Sequence, residues 1–457
     1  MRRRSLGKLF SLSLFLTAAG CGGGGDEGSS QGNGDSSADN PDATPVVIQS
    51  GPAKQTWEGA ATVVFDAQPG KQYECDVDNR GYQACSNPYY IRDMVVGDHV
   101  MRVRETGLPE TESTYQWTVT SVFDGNIELV QFDGVVGAPD PDGGTFRIKC
   151  EVSHFNYDDA LVSPNQPNAA HLHMYLGNTQ TDNASDIDSL ASTGEGSCDG
   201  GMLNRSGYWV PTMLYPLQNP PDDTFGIVLP LDDVDAVDVY YKSNITEITA
   251  IQPMPSGLQM ISGDAGATPA NPQTRDIIRW SCESWVITSG DDFALNIPRC
   301  AVGDWVRATV LFPSCWDGVN LDSADHKSHM AFPVFTPGQG HHCPASHPVT
   351  LTQVSYNLAY EVTAENSAPF GDSRMWRLAS DTYEVSESVP GGYSLHGDWM
   401  MAWHPEIMQT WIEHCIHAGI HCAGGELGNG WRLRWHQPEQ ITEPDLNRPT
   451  RQKHQGH

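Results

Sequence analysis

The cysteines constrain this chain most. Apart from Cys21 in the N-terminal segment, ten occur, at positions 75, 85, 150, 198, 282, 300, 315, 343, 415 and 422. An even set with no CxxC spacing, in a chain that opens with an export signal, points to five disulfides and away from a thiol redox centre or zinc ribbon. Cys75 and Cys85 make the simplest pair, and closing so short a loop contributes roughly 2–3 kcal/mol. Cys415 with Cys422 is the first pair expected in the later region. With 45 glycines and 31 prolines, the chain between cysteines favours turns and short strands over long helices. A mainly β architecture with long disulfide-tied loops and little helix follows.

The first twenty residues carry Arg2, Arg3, Arg4 and Lys8, no acid, and an apolar run from Leu9 to Leu16. They read as a secretory signal peptide. The run ends Ala18-Ala19-Gly20-Cys21, which resembles a bacterial lipobox. The resemblance implies cleavage before Cys21 and lipidation of that residue; the plain alternative is ordinary cleavage with Cys21 a spare thiol. Gly22 in place of an acid after the lipidated cysteine implies sorting to the outer membrane. No other run reaches the ~18 apolar residues of a membrane span, so the expected membrane partnership is through the lipid anchor alone. Residues 21–45, with five acids and no base or aromatic, read as a flexible tether.

Charge narrows the partners. Lysine and arginine number 26 against 57 acids, a net charge of −31, and −35 without the four basic residues of the signal. Such a chain repels nucleic acid, and it repels anionic polysaccharide wherever no local basic patch intervenes.

Residues 46–122 contain β-branched and aromatic runs of strand length split by turn residues, the pattern of a small sandwich. Tyr73-Glu74-Cys75-Asp76-Val77-Asp78, Cys85-Ser86-Asn87-Pro88, Gly97-Asp98-His99 and Trp117-Thr118-Val119 resemble the immunoglobulin-like repeat of bacterial surface proteins. That implies a spacer or adhesive module, with His99 a structural polar group.

Residues 125–437 show further strand signals (VDVYYK, WVRATVLF, VTLTQVSYNLAYEV) among Pro- and Gly-rich loops, with one helical stretch near 405–418. A large β-sandwich or jelly-roll-like domain is expected, followed by a disordered tail over 438–457. Five polar clusters stand out. They are Ser153 to Asp159, His171 to Asn178, Cys315 to Met330, His341 to Pro348, and His396-Gly397-Asp398-Trp399. On a strand, residues i and i+2 share a face, so His171 and His173 can grip one ion or one substrate group.

These clusters also resemble a family of secreted fungal and bacterial proteins known as domain of unknown function nineteen ninety-six. The residues that carry the resemblance are Cys150 through Asn178, Leu203 to Pro211, Phe312 to Pro333, Cys343 to Val349 and His396 to Trp403. The sequence departs from the family at Met174-Tyr175-Leu176 and in the insertion-like stretch Asn219 to Leu229. The family often accompanies cell-wall or carbohydrate-binding modules, which implies extracellular polysaccharide as partner. It supplies no catalytic assignment.

The residue chemistry leaves three accounts open. His171, His173, His326, His329, His396 and Asp398 can supply the ligands of a transition metal such as zinc or copper, with Asp158, Asp159, Asp322 or Asp325 orienting a ligand or acting as base. Without metal, a His–Asp pair with Tyr208 and Arg205 can move a proton at a sugar ring, and paired carboxylates such as Asp158 and Asp322 can hydrolyse a glycoside. In the third account the polar motifs only tie long loops together. Trp209, Trp316, Trp399 and Trp403 suit either sugar stacking or core packing. His414, His417 and His421 fall at helical spacing and read as a surface stripe. No Walker loop, dinucleotide fingerprint, GxSxG elbow or HExxH motif is present. The expected function is a surface-anchored, outer-membrane lipoprotein acting on polysaccharide, as a metal-dependent hydrolase or lyase; the alternative is a non-catalytic glycan-binding or adhesion protein.

Overall fold

The computed structural model describes residues 44–134, 137–141, 143–217, 224–231, 237–284, 293–435 and 450–451. The expected signal, Cys21 and nearly all of the tether lie outside them. So does the tail, save Thr450–Arg451, which pairs beside the strand Thr224–Ile227. No helix among the described residues is long and apolar enough to cross a membrane. The fold is mainly β, as expected, and among the described residues no sheet closes into a barrel.

Near the N-terminus, a three-stranded and a five-stranded sheet share one core. Alternation in Ala61–Phe65 and Gly97–Glu105 turns Val63, Phe65, Met101 and Val103 inward, where they are fully buried. His99 has the expected structural role. Its Nδ1 meets Asp78 at 2.8 Å, its Nε2 meets the Val95 carbonyl at 2.7 Å, and its ring stacks on Trp117.

The larger part is a sandwich. One sheet runs in the order Ile278–Glu283, Trp305–Leu311, Gln353–Glu361, Val237–Lys242, Thr145–Lys149, His421–Cys422. The other runs Val152–Asn156, His173–Gly177, Gly207–Pro211, His396–Met400, Gln259–Gly263. Both contribute to one core, the first through residues such as Ile148, Val239 and Tyr356, the second through Met174, Leu176, Tyr208, Val210 and Trp399. Every second residue of the second sheet therefore points the other way. That outer face carries His173, Tyr175, Trp209, Asp398 and Met400, and loops cover it, so these side chains are buried too.

Five disulfides tie the loops: Cys75–Cys85, Cys150–Cys198, Cys282–Cys300, Cys315–Cys343 and Cys415–Cys422. Both pairs expected from sequence are among them. The helix begins at Pro405 as expected but is regular only to Trp411; Ile412–Ile416 widens, with the His417 amide donating to the Ile412 carbonyl. His421 lies beyond it on a strand, so the three histidines form no single stripe. The described residues make one compact unit. Glu406 helps join its parts by accepting from the Ser121 hydroxyl and the Val122 amide.

Candidate metal centre

Two His-x-His/Asp pairs build the centre. His173 opens its strand and His171 lies two residues ahead of it, with the two ring centroids 4.1 Å apart. Two strands away, strand alternation aims His396 and Asp398 at the same face. Between them runs Gly207–Pro211, where Trp209 stands directly opposite both Tyr175 and Asp398. The His396 ring lies 5.0 Å from His171 and 5.9 Å from His173. Ligand atoms of His171, His173 and His396 all lie within 4.8 Å of one another, as do those of Asp159, His173 and Asp398. The five residues are at most 4% exposed. The two groups share His173 and are otherwise separate, so His173 is the residue common to both candidate ion positions.

Backbone carbonyls fix the imidazoles. Nδ1 of His173 lies 3.0 Å from the Asp158 carbonyl, and Nδ1 of His396 lies 2.8 Å from the Ser394 carbonyl. A carbonyl only accepts, so each Nδ1 carries the proton and each Nε2 keeps its lone pair. Tyr175 locks the same turn by donating to the Asp158 carbonyl at 2.6 Å, and its ring stacks on His154. Oδ1 of Asp159 caps its own loop through the amides of Leu161 and Val162.

Asp398 is the anomaly. It is 1% exposed, and neither carboxylate oxygen accepts a hydrogen bond from a described residue. His396 Nε2 lies 3.9 Å from its Oδ2, beyond hydrogen-bond distance. Burial, reinforced by the Asp159 charge, pushes its carboxyl well above the usual carboxylate range. A buried carboxylate without donors is costly. A cation held by Asp398, Asp159 and His173 would remove that cost, and a nitrogen and oxygen donor set suits a transition metal. A cleft of about 400 Å³, lined by Asp159, His171, His326, Lys327 and His396, leads to this group.

The model of a family described as "Domain of unknown function (DUF1996)" matches residues 159–403. The chain belongs to the DUF1996 family. No curated protein and no solved structure matches the chain. All five residues of the centre lie inside the DUF1996 region, and Asp159 is its first residue.

Not every candidate read from the sequence converges in the DUF1996 domain. His329 is buried with both ring nitrogens engaged, by Ser323 at 2.9 Å and the Gln259 carbonyl at 2.7 Å. It is therefore a loop anchor, not a ligand. His326 lines the cleft but falls outside both ligand groups. Asp158 has a carboxylate occupied by the Asn156 amide and the Asn168 backbone, so it pins a loop. Asp325 is held far below the carboxylate range, above all by the Ser328 amide, and caps a turn. Asp322 grips the His326 ring. Tyr208 points into the core, with its hydroxyl on Asn204 and Tyr241, and burial raises its phenol. Arg205 donates to the carbonyls of Gly194 and Ala191, and burial lowers its guanidinium. These two residues sit away from the cleft lining. Trp209, Trp399 and Trp403 are buried, so core packing explains them and sugar stacking does not. Tyr175 was missed, although its place on the face of His171 and His173 was readable from the alternation.

Proposed function

We propose that this protein is a surface-anchored extracellular lipoprotein whose DUF1996 domain acts on polysaccharide with a transition metal, zinc or copper, as its cofactor. One observation carries the metal reading: a buried Asp398 without hydrogen-bond donors beside three converging histidines. His171, His173 and His396 would hold the ion through imidazole nitrogens, with Asp398 and Asp159 completing the set. Such an ion polarises a bound oxygen and lowers the pKa of bound water. The open side of the cleft leaves room for substrate. The export signal, the lipobox-like end and five disulfides fit an oxidising compartment outside the cell. The family setting points to polysaccharide. Hydrolysis and elimination both suit a metal beside a proton-transfer group.

Elemental analysis of the purified protein after incubation with zinc or copper tests the metal, with a His171→Ala/His173→Ala variant alongside. Near-stoichiometric metal in the parent and none in the folded variant supports the centre. No uptake by the parent overturns it, and a glycan array then tests the binding role alone.

A further inference from the structure

His326 faces the same cleft as His171 and His396, yet it is not placed to share their ion. Its backbone lies in the left-handed region, at φ 54°, uncommon for residues with a side chain although Asn, Asp and His take it more readily than others. The structure holds it there at both ends: its amide donates to the Ser323 carbonyl at 2.8 Å, and its carbonyl accepts from Ile261 at 3.1 Å. Its Nδ1 sits 3.0 Å from each oxygen of Asp322. Nε2 takes no hydrogen bond from any described residue, and the ring is 23% exposed. His99, His154 and His329 differ, because their second nitrogens end on backbone carbonyls. The other charged groups of the cleft are committed to loops. Lys327 donates to the Gly263 carbonyl, Asp325 takes the Ser328 amide, and Asp264 takes the Gly266 amide. A strained residue fixed by its surroundings is a common mark of a functional site.

We infer that His326 is the proton-transfer residue of this cleft, oriented by Asp322, and not a metal ligand. The inference rests on the metal reading above. With Nδ1–H against the Asp322 carboxylate, Nε2 is an acceptor open to the cleft. In hydrolysis, a water in the cleft gives its proton to Nε2 and keeps the O–H electron pair. Its oxygen bonds to the sugar carbon as the glycosidic C–O bond breaks. The imidazolium, countered by Asp322, hands its proton to solvent, and the leaving oxygen, on the opposite side of the sugar carbon, takes one from solvent water. Asp322 is a positioning residue in this scheme.

Cobalt(II) serves as probe, because its visible spectrum reports both occupancy and the ionisation of a group beside the ion. His326→Asn is the variant of choice, since asparagine tolerates the left-handed backbone. The variant is expected to bind one cobalt as the parent does, with the pH midpoint of the spectrum moved up by about one unit. Asp322→Asn should move it the same way by less while leaving the left-handed residue in place. Loss of cobalt from folded His326→Asn would make His326 a ligand and overturn the inference while the metal centre stands. Full cobalt with an unmoved midpoint in both variants would reduce the pair to a loop tie. No uptake by the parent would overturn the metal reading and this one with it.

Discussion

Asp398 has no described hydrogen-bond donor, so in the metal-free protein its burial opposes folding. Asp398→Asn should therefore leave the thermal midpoint of the metal-free protein unchanged or higher. The same change should weaken zinc by at least about tenfold, as read by titration calorimetry. A lower metal-free midpoint with zinc affinity intact would show that the carboxylate serves packing alone. A second carboxyl gives a pH signature. Asp199 is buried, and its carboxyl is pushed up to about 6, mainly by desolvation. Between about pH 4 and 6 the folded chain holds a proton that the unfolded chain has lost, so stability falls as pH rises through that window and is flat above it. The size is on the order of 3 kcal/mol. Denaturant midpoints across the window, with chelator present, should slope less in Asp199→Asn than in the parent. At this scale the sequence was readable in part. The His-x-His spacing places two side chains on one face and found His171 and His173, while His396 and Asp398 stood out as a polar cluster. It could not separate His326 from His329. Their roles depend on partners far along the chain, the Gln259 carbonyl for one and the cleft for the other.

Strand Gln259–Gly263 holds the His396 strand in register, with Gly263 opposite His396. At Gly263 φ is +92°, and an added Cβ would fall 2.5 Å from the Leu395 carbonyl and 2.7 Å from the His396 Cα. Gly263→Ala must shift the strand that carries His396. It should cost at least ~1 kcal/mol of stability and weaken zinc in step, measured by chemical unfolding and by metal titration. Unchanged zinc affinity would mean that the centre tolerates movement of this strand. Trp209 lies fully buried between Tyr175 and Asp398. Trp209→Ala should remove about 3–5 kcal/mol and loosen the centre from below. Strand runs and turn residues made the β class legible, since period-two alternation survives any tertiary context. The shared face of strands His173–Gly177 and His396–Met400 was not legible. They are separated by more than two hundred residues and joined through Gly207–Pro211, a pairing that no local pattern encodes. The helical stretch near 405–418 was legible, but its early widening after Trp411 depends on the surrounding packing.

Across the whole molecule, Glu406 joins the helix to the segment following the small sandwich. His404 adds a bond to the Trp57 carbonyl at 2.7 Å. Glu406→Ala should raise the rate of limited proteolysis near residues 121–128 while leaving zinc stoichiometry intact; an unchanged digestion pattern would show that this contact does not hold the segment. The disulfides carry a further consequence. Each cysteine of the five bridges is joined to the next one along the chain, and no bridge overlaps another. A polypeptide threaded outward from its amino end, and oxidised two thiols at a time as they emerge, would acquire its native links in order. With Cys21 kept out of the pairing, such a sequence of events would call for an oxidant and for no reshuffling step.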